Sequence, residues 1–336
     1  MNIFDYAKKE LSQDAFLCWL LTNYNNNDNE KLKVASYKVL CRLTNRDFEI
    51  GSVYDMEIYQ QWLRIDVVIG FWVNGKRYYL AIEDKVESCE HNQLKGYKTS
   101  LERYQSKIKN RPYSVSEIFY SYYKTSIIGE EEEKRIKEAQ WETSILDIDS
   151  IYELFTQLKG TGSEVFDSYC EHIEKLHRSY HNLSLPEGNS HDMIAWKAYF
   201  ESLFKQKLID SHYLKNYVSS TRYGYSYIIL TDDTNFSDSD IAYLEIRSRD
   251  CVNKEFQARL LIYGRKNMSK GTPNYDAFKT AIRSKNNFFH ERNTSMQLAI
   301  TKKIPFLTEK DFIGLINKSI NEYISICNKY KELVKK

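Results

Sequence analysis

Apolar and polar positions follow a strand pattern most clearly in the centre of the N-terminal half. Residues 63–73 and 76–86 are rich in β-branched and aromatic side chains, which favours two β-strands. Asn74-Gly75 lies between them, and this dipeptide is the strongest local signal for a two-residue hairpin loop. The apolar runs on both sides of the loop predict strands that are buried on both faces.

This hairpin would bring acidic side chains together. If Val73 pairs with Lys76 across the loop, the same register places Asp66 opposite Glu83. Because side chains alternate between the faces of a strand, Asp66, Glu83 and Lys85 then share one face, and the Asp84 side chain lies on the opposite face. Opposed side chains have Cβ atoms about 4.5–5.5 Å apart, and like charges there are destabilising. Two buried acids so placed need a proton or a cation, and a hard divalent metal bound by oxygen ligands satisfies that need.

Helical periodicity precedes the hairpin. Ser12 predicts an N-cap for a helix over about 13–24, and Asp14 in its first turn suits the helix dipole. Glu10 lies just before this cap. A second helix follows, and residues 52–59 predict a first strand ahead of the hairpin.

A further helix is predicted over about 89–104, directly after the hairpin. Gln93 and Tyr97 are four residues apart, so they would share one helical face close to Lys85. The positively charged residues of this region are Lys95, Lys98, Arg103, Lys107, Lys109 and Arg111. Such a run is usually a solvated surface, but beside an acidic metal site it is what a phosphate backbone requires.

Strands and helices then alternate to about residue 158. A strand is predicted over 116–123, a helix begins with the acidic run 130–133, and a strand covers 145–148. Asp149 predicts the cap of the next helix. This order predicts an α/β (α+β) fold with a mixed central sheet flanked by helices.

A second domain is predicted after the linker candidate 185–188. The predicted domains are therefore 1–185 and 189–336. The second contains a helix over about 192–208, then strands over 225–230, 242–247, 256–263 and 296–301. With a helix near 275–282 and a closing helix over 309–331, this predicts a compact α+β domain. Its basic loops are compatible with DNA recognition, dimerisation or binding of a protein partner.

Composition narrows the class of protein. Hydrophobic residues make up 42% and charged residues 28% of the chain, as in soluble globular proteins. The net charge of +2 means that nucleic-acid binding would have to come from local patches. Six cysteines without a CxxC pair argue against a zinc ribbon or a disulfide framework. Together with the absence of a long apolar run, they predict a cytoplasmic protein that does not cross a membrane.

Other kinds of site have weaker support. His172, His177 and His181 lie on or near one predicted helix, but the three do not share one clean face. We therefore interpret them as surface or partly buried residues. The sequence contains no glycine-rich phosphate loop, which argues against an ATP-dependent motor.

The combination of Asp66, Glu83-Asp84-Lys85, Gln93 and Tyr97 resembles the PD-(D/E)XK nuclease superfamily. The opening segment from Glu10 through the first tryptophan is similar to the start of a bacterial branch of that superfamily. The resemblance covers about residues 1–160. An E-x-K triplet alone is weak evidence, since residues 132–134 also match it. The sequence departs from the pattern in having Ile65, not proline, before Asp66.

The resemblance implies a metal-dependent nuclease. Mg²⁺, or Mn²⁺ in its place, would be held by Asp66, Glu83 and the main-chain carbonyl of Asp84, with Glu10 as an additional ligand. Lys85 would orient or activate a water molecule. Gln93 and Tyr97 would position the phosphate or brace Lys85. The usual substrate of the family is DNA, and Lys95, Lys98, Arg103, Lys107 and Lys109 would contact it.

Two hypotheses of function follow. The first is an active DNA endonuclease that serves defence against foreign DNA. The alternative is a catalytically silent nuclease-fold protein that acts as a nucleic-acid-binding or regulatory module. The intact set of Asp66, Glu83 and Lys85 favours the first, because a silent site has no physical need for two acids beside a lysine.

Overall fold

A computed structural model places the chain in two compact units. It describes residues 2–5, 10–26, 28–86, 88, 92–107, 114–186, 192–209, 215–220, 225–231, 241–263, 271–285, 288–291 and 297–334. The units are Met1–Arg178 and Ser179–Lys336, and each is described by itself. The domain limits predicted at 185 and 189 stay a prediction.

The first unit is built on a five-stranded mixed sheet. Its strands, in the order β1-β2-β3-β4-β5, are β1 (Val53–Trp62), β2 (Ile65–Val73), β3 (Lys76–Lys85), β4 (Val115–Lys124) and β5 (Ser144–Leu146). β2 pairs antiparallel with both β1 and β3, whereas β4 pairs parallel with both β3 and β5. This arrangement confirms the predicted mixed sheet with flanking helices.

The described residues of this unit form six α-helices, whose ends differ from the predictions in three places. They are α1 (Glu10–Asn26), α2 (Glu30–Thr44), α3 (Leu94–Lys107), α4 (Glu130–Glu138), α5 (Ile148–Leu158) and α6 (Glu164–Tyr180). Ser12 lies inside α1, so its predicted role as a cap was wrong; the helix begins before its apolar stripe does. Asp147, not Asp149, caps α5, because its carboxylate accepts the Ser150 N–H at 3.0 Å. Gln93 immediately precedes α3 rather than lying within it.

The hairpin between β2 and β3 has the predicted register. Val73 pairs with Lys76, and the ladder continues to the pair of Val67 and Ile82, next to Asp66 and Glu83. Asn74 and Gly75 both have left-handed backbone, with φ of 48° and 76°, as a type I′ turn requires. The central apolar residues of both strands, 67–69 and 80–82, have no exposed surface, which confirms the prediction of strands buried on both faces.

A second two-residue turn joins β1 to β2 at the other end of β2. Trp62 pairs with Ile65 across Leu63 and Arg64, whose φ angles are 56° and 71°. Gln61, just before the turn, also has a positive φ of 55°. Left-handed backbone is uncommon for such side chains and costs free energy. This segment is therefore strained, and nothing in the sequence predicted it.

A buried arginine on β3 reaches across β2 to β1. Arg77 is 1% exposed, forms an ion pair with Glu57 and lies against the Trp72 and Tyr79 rings. A Cβ atom at Gly70 would lie 2.1 Å from Nη2 of Arg77. The arginine therefore requires glycine at this position of β2.

The second unit is an antiparallel sheet packed against helices. Its elements, in chain order, are α7 (Met193–Lys205), β6 (Lys215–Ser220), β7 (Ser226–Thr231), β8 (Ile241–Arg247), β9 (Glu255–Phe256), β10 (Ala258–Tyr263), α8 (Pro273–Lys285), β11 (Phe289–Glu291), β12 (Gln297–Thr301), β13 (Ile304–Pro305) and α9 (Glu309–Val334). Six of the strands form one sheet in the order β11-β12-β10-β8-β7-β6, and β13 pairs with β9. One hydrophobic cluster joins α7, α8 and α9 to the sheet. The predicted strand over 256–263 is divided into β9 and β10, and β6, β11 and β13 were not predicted.

Within the described parts of the chain, every helix is too short or too polar to cross a lipid bilayer. The cytoplasmic location stays a prediction.

Candidate active site

The structure brings the predicted acids and the lysine together at one end of β2 and β3. The Lys85 ammonium lies 2.6 Å from Oε1 of Glu83 and 3.8 Å from Oδ2 of Asp66. It also donates a hydrogen bond to the main-chain carbonyl of Asp84 at 3.0 Å. Lys85 is 6% exposed and Glu83 1%, so these charges meet in a site that is largely shielded from water.

Two hydrogen bonds fix the orientation of the Asp66 carboxylate. Its Oδ2 accepts the main-chain N–H of Asp84 at 2.9 Å, across the hairpin. Its Oδ1 accepts Nε2 of Gln61 at 3.0 Å, from the strained end of β1. Asp66 is therefore held by groups on both neighbouring strands.

The start of α3 closes the site on one side. Nε2 of Gln93 donates to Oε1 of Glu83, and the carbonyl of Gln93 accepts the N–H of Tyr97 at 3.2 Å. Burial and the charges of Glu83 and Asp66 raise the pKa of the Tyr97 phenol. The phenol thus stays protonated and can donate a hydrogen bond to an anionic oxygen.

Burial controls the charge of Glu83. Desolvation, followed by the nearby Asp66 carboxylate, raises the pKa of Glu83 to about 8, although Lys85 opposes the shift. Without a metal ion, Glu83 is therefore mostly protonated at neutral pH. A bound cation would reverse this balance, because metal ligands bind in their deprotonated form.

The donor set fits a hard divalent cation. Asp66, Glu83 and the carbonyl of Asp84 offer only oxygen atoms, as Mg²⁺ prefers. Oε2 of Glu83 is buried and accepts no hydrogen bond from any residue that the structure describes. A buried carboxylate oxygen without a donor is costly, and a metal ion is one group that would satisfy it.

A second polar layer lies on the opposite face of β3, where alternation predicted the Asp84 side chain. Gln13 donates to Oδ1 of Asp84 and accepts the Thr125 hydroxyl at 2.9 Å. Burial and the adjacent Asp14 carboxylate hold the pKa of Asp84 well above its usual range. Nε2 of Gln61 reaches Oδ2 of Asp14 at 3.4 Å, so this layer is linked to Asp66.

Sequence reasoning missed Gln13, Asp14 and Gln61. Gln13 and Asp14 occupy positions of the apolar stripe of α1, between buried leucines and the sheet. Polar residues within an apolar stripe were the available signal, because a buried polar group normally has a specific partner. Gln61 gave no such signal, since its position depends on the left-handed turn.

The remaining predicted site residues are placed less centrally, or their side chains are not described. Glu10 is the first residue of α1, and its side chain lies outside the described part, as does that of Lys107; Lys109 lies outside it altogether. Lys95 and Arg103 are exposed on α3. The Lys98 ammonium donates to Gln140 at 2.7 Å and lies over the Tyr120 ring. The Lys98 side chain therefore contacts β4 and the segment after α4.

A second buried ion pair lies beside the site. Lys124 is the β4 residue paired with Lys85, and its ammonium lies 2.6 Å from Oε2 of Glu132. Oε1 of Glu132 accepts the Tyr122 hydroxyl at 2.7 Å. The acidic run at the start of α4 therefore includes a buried structural residue in addition to charges that suit the helix dipole.

The described residues contain one further group that could hold a metal ion. Asp149, His177 and His181 each offer a ligand atom, and these atoms lie within 4.8 Å of one another. The His177 ring also stacks on Tyr152 at 3.9 Å. His177 and His181 are four residues apart, whereas His172 is not part of the group.

Comparison with known proteins places this chain in a family. The family model of the PD-(D/E)XK nuclease superfamily matches residues 1–182, which is more than half of the chain. The protein therefore belongs to the PD-(D/E)XK nuclease superfamily, as the resemblance predicted. No curated protein and no solved structure matches the chain. Membership supports a nuclease-type function, and nucleases of this superfamily generally use divalent metal ions.

Proposed function

We propose that this protein is a Mg²⁺-dependent deoxyribonuclease that cuts within DNA chains. The observation that carries the proposal is the position of the Lys85 ammonium, 2.6 Å from Glu83 and 3.8 Å from Asp66. These three groups lie on adjacent strands within the segment that matches the nuclease family. An acidic pair can hold a metal ion that polarises a phosphate, and a buried lysine can stabilise the negative charge that develops during hydrolysis.

Each residue has a distinct role in this proposal. Asp66, Glu83 and the carbonyl of Asp84 would hold Mg²⁺, for which Mn²⁺ can substitute, and Glu10 is proposed as an additional ligand. The ion would polarise the scissile phosphate and lower the pKa of a bound water. Lys85 orients or activates the attacking water and offsets the negative charge of the transition state.

The residues at the start of α3 act on Lys85 and the substrate. Gln93 holds the Glu83 carboxylate that contacts Lys85, so it limits the positions open to the ammonium. The Tyr97 phenol donates a hydrogen bond to a phosphate oxygen. The exposed residues Lys95 and Arg103, with Lys98, Lys107 and Lys109, are proposed to face the DNA backbone.

A cleavage assay tests the proposal. Supercoiled plasmid should be nicked in Mg²⁺ and stay intact in EDTA, and closed circles report internal cuts because they have no ends. Asp66→Ala and Lys85→Ala should each abolish cleavage. Lys76→Ala is the matched control, since Lys76 is exposed at the far end of the same hairpin. Equal nicking by the wild type and both site variants would reveal a contaminant and refute the catalytic assignment.

The substrate and the biological role need separate experiments. Single-stranded DNA, duplex DNA and RNA of one sequence should be compared, and the proposal requires DNA to be cut fastest. A role in defence predicts that expression protects cells against phage and that Asp66→Ala removes the protection. The second unit is proposed to recognise DNA, form a homodimer or bind a protein partner, and sedimentation with and without DNA distinguishes these roles.

A further inference from the structure

We propose that Arg64 binds the phosphate backbone of the substrate at the edge of the active site, and that the strained turn between β1 and β2 serves to place it there. This inference rests on the proposed nuclease function and names a substrate-binding residue for it. Four observations support it: the conformation of the turn, its anchoring, the surroundings of the guanidinium, and the charge of the site.

The conformation of the turn is not explained by the need to reverse the chain. Gln61, Leu63 and Arg64 all have positive φ within four residues, directly before Asp66. The other end of β2 turns through Asn74-Gly75, which adopts the same kind of loop without strain. Strained backbone concentrates at functional sites, where the surrounding structure holds it in place.

Packing anchors the turn on one side and leaves Arg64 outside. Trp62 and Leu63 pack against the hydrophobic cluster that contains Leu94 and Leu101 of α3. Trp62 also makes an edge contact with the Tyr104 ring at 4.7 Å between centroids. The backbone of Arg64 is thus held against α3, while its side chain is exposed.

Arg64 lies two residues before Asp66, at the end of β2 that carries the site. Its charge opposes burial and the charges of Glu83 and Asp66, which together raise the pKa of the Tyr97 phenol. Among the residues that the structure describes, Arg64 forms no ion pair or hydrogen bond. An exposed arginine beside several acids, yet paired with none of them, is available to an anionic ligand.

The charge balance calls for such a cation. The Asp66 carboxylate repels a phosphodiester, and the Lys85 ammonium already contacts both Asp66 and Glu83. An arginine can hold a phosphate through two parallel N–H bonds, which fixes its orientation as well as its position. Arg64 therefore compensates the acids at the point where the substrate would enter.

Arg64→Gly is the decisive variant. Glycine accepts a φ of 71° without steric cost, so the variant should fold at least as stably as the wild type while lacking the guanidinium. Arg64→Lys keeps the charge but not the planar fork. Lys76→Ala, at the opposite end of the hairpin, controls for the loss of one exposed charge.

Two measurements separate binding from folding. We expect Arg64→Gly to lower kcat/KM on duplex DNA by about ten- to a hundredfold, as for one lost charge-assisted hydrogen bond. The slope of log Kd against log salt should fall by about 0.9, as for one lost phosphate contact. Arg64→Lys should keep the slope and lose part of the rate, and Lys76→Ala should change neither.

The outcomes distinguish this inference from the proposed function. If the wild type cleaves DNA and Arg64→Gly matches it in rate and salt slope, the inference is wrong and the nuclease assignment stands. If the wild type binds DNA without cleaving it and Arg64→Gly lowers the slope, the contact is supported and the catalytic proposal fails. A wild type that neither binds nor cleaves nucleic acid overturns both.

Discussion

Replacing Glu83 by glutamine should stabilise the metal-free protein, although Glu83 lies 2.6 Å from a lysine. Glu83 is 1% exposed, and its pKa is raised from 4.5 to about 8 by burial and by Asp66. In the protonated state Glu83 has nearly the shape of glutamine, so the substitution keeps the hydrogen bonds to Lys85 and Gln93. Asp66 remains as a counter-charge for Lys85.

The magnitude follows from the pKa shift. Because the folded-state pKa lies above the unfolded-state value, the native protein binds more protons between pH 4.5 and pH 8, and its stability falls as pH rises through this range. One pKa unit corresponds to about 1.4 kcal/mol. The wild type should therefore lose roughly 3 kcal/mol by pH 7 and roughly 4 kcal/mol by pH 8, relative to pH 4.5. Glutamine does not ionise, so Glu83→Gln should lose none of it.

Urea unfolding in EDTA at several pH values measures this difference. Glu83→Gln should match the wild type near pH 4.5 and exceed it increasingly up to pH 8. The matched control is Glu117→Gln, which removes an exposed partner of Arg46 and should change stability by at most about 1 kcal/mol at any pH. Added Mg²⁺ should stabilise the wild type and leave Glu83→Gln unchanged, since the variant lacks a carboxylate ligand.

A particular result would refute this reasoning. If Glu83→Gln is less stable than the wild type at pH 8 without metal, then Glu83 is ionised in the folded protein. Its pair with Lys85 would in that case outweigh burial and the repulsion from Asp66.

Three further predictions follow from the same structure. Mg²⁺ binding must release the Glu83 proton, so the Kd for Mg²⁺ measured by calorimetry should fall about tenfold for each unit by which the pH rises towards 8. A Kd that does not depend on pH would contradict this. Glu132→Gln should destabilise the fold by about 3–5 kcal/mol in urea unfolding, because it leaves the Lys124 charge buried without its counter-ion; a loss below about 1 kcal/mol would show that the pair is not needed. Gly70→Ala should lower the free energy of unfolding by about 1–3 kcal/mol, because the added Cβ displaces Arg77. Gly96→Ala should raise it by about 0.5–1 kcal/mol, because a Cβ at this position of α3 meets no atom within 4 Å. Equal effects of the two substitutions would contradict the close approach of Gly70 to Arg77.

Sequence reasoning succeeded where local rules determine the structure. Asn74-Gly75 specifies its turn by residue type alone, and the turn sets the register of β2 against β3. Alternation along these strands then predicts that Glu83 and Lys85 share a face and that Asp84 points away from it. The mixed sheet followed from the order of the elements.

Local rules could not supply the parts of the site that depend on distant packing. Gln13 meets Asp84 across 71 positions of the chain, and only the docking of α1 on the sheet brings them together. The turn at Leu63 and Arg64 has no sequence signature, because neither residue type favours left-handed backbone. Asp147 and Asp149 both suit a helix start, and only the hydrogen bond to Ser150 shows which one forms the cap.

The Asn74-Gly75 hairpin has a consequence for the order in which the site assembles. The bond between Asp84 and Asp66 closes a loop of 18 residues, whereas the bonds of Gln13 to Asp84 and Thr125 span 71 and 112. Longer loops cost more chain entropy to close, and a hairpin can form in about 1–10 μs. We expect β2 and β3 to pair early in folding and α1 to dock on them late. The contact between Asp66 and Asp84 would then form first, and the later docking of α1 would bring Gln13 to Asp84 and remove Asp84 from water.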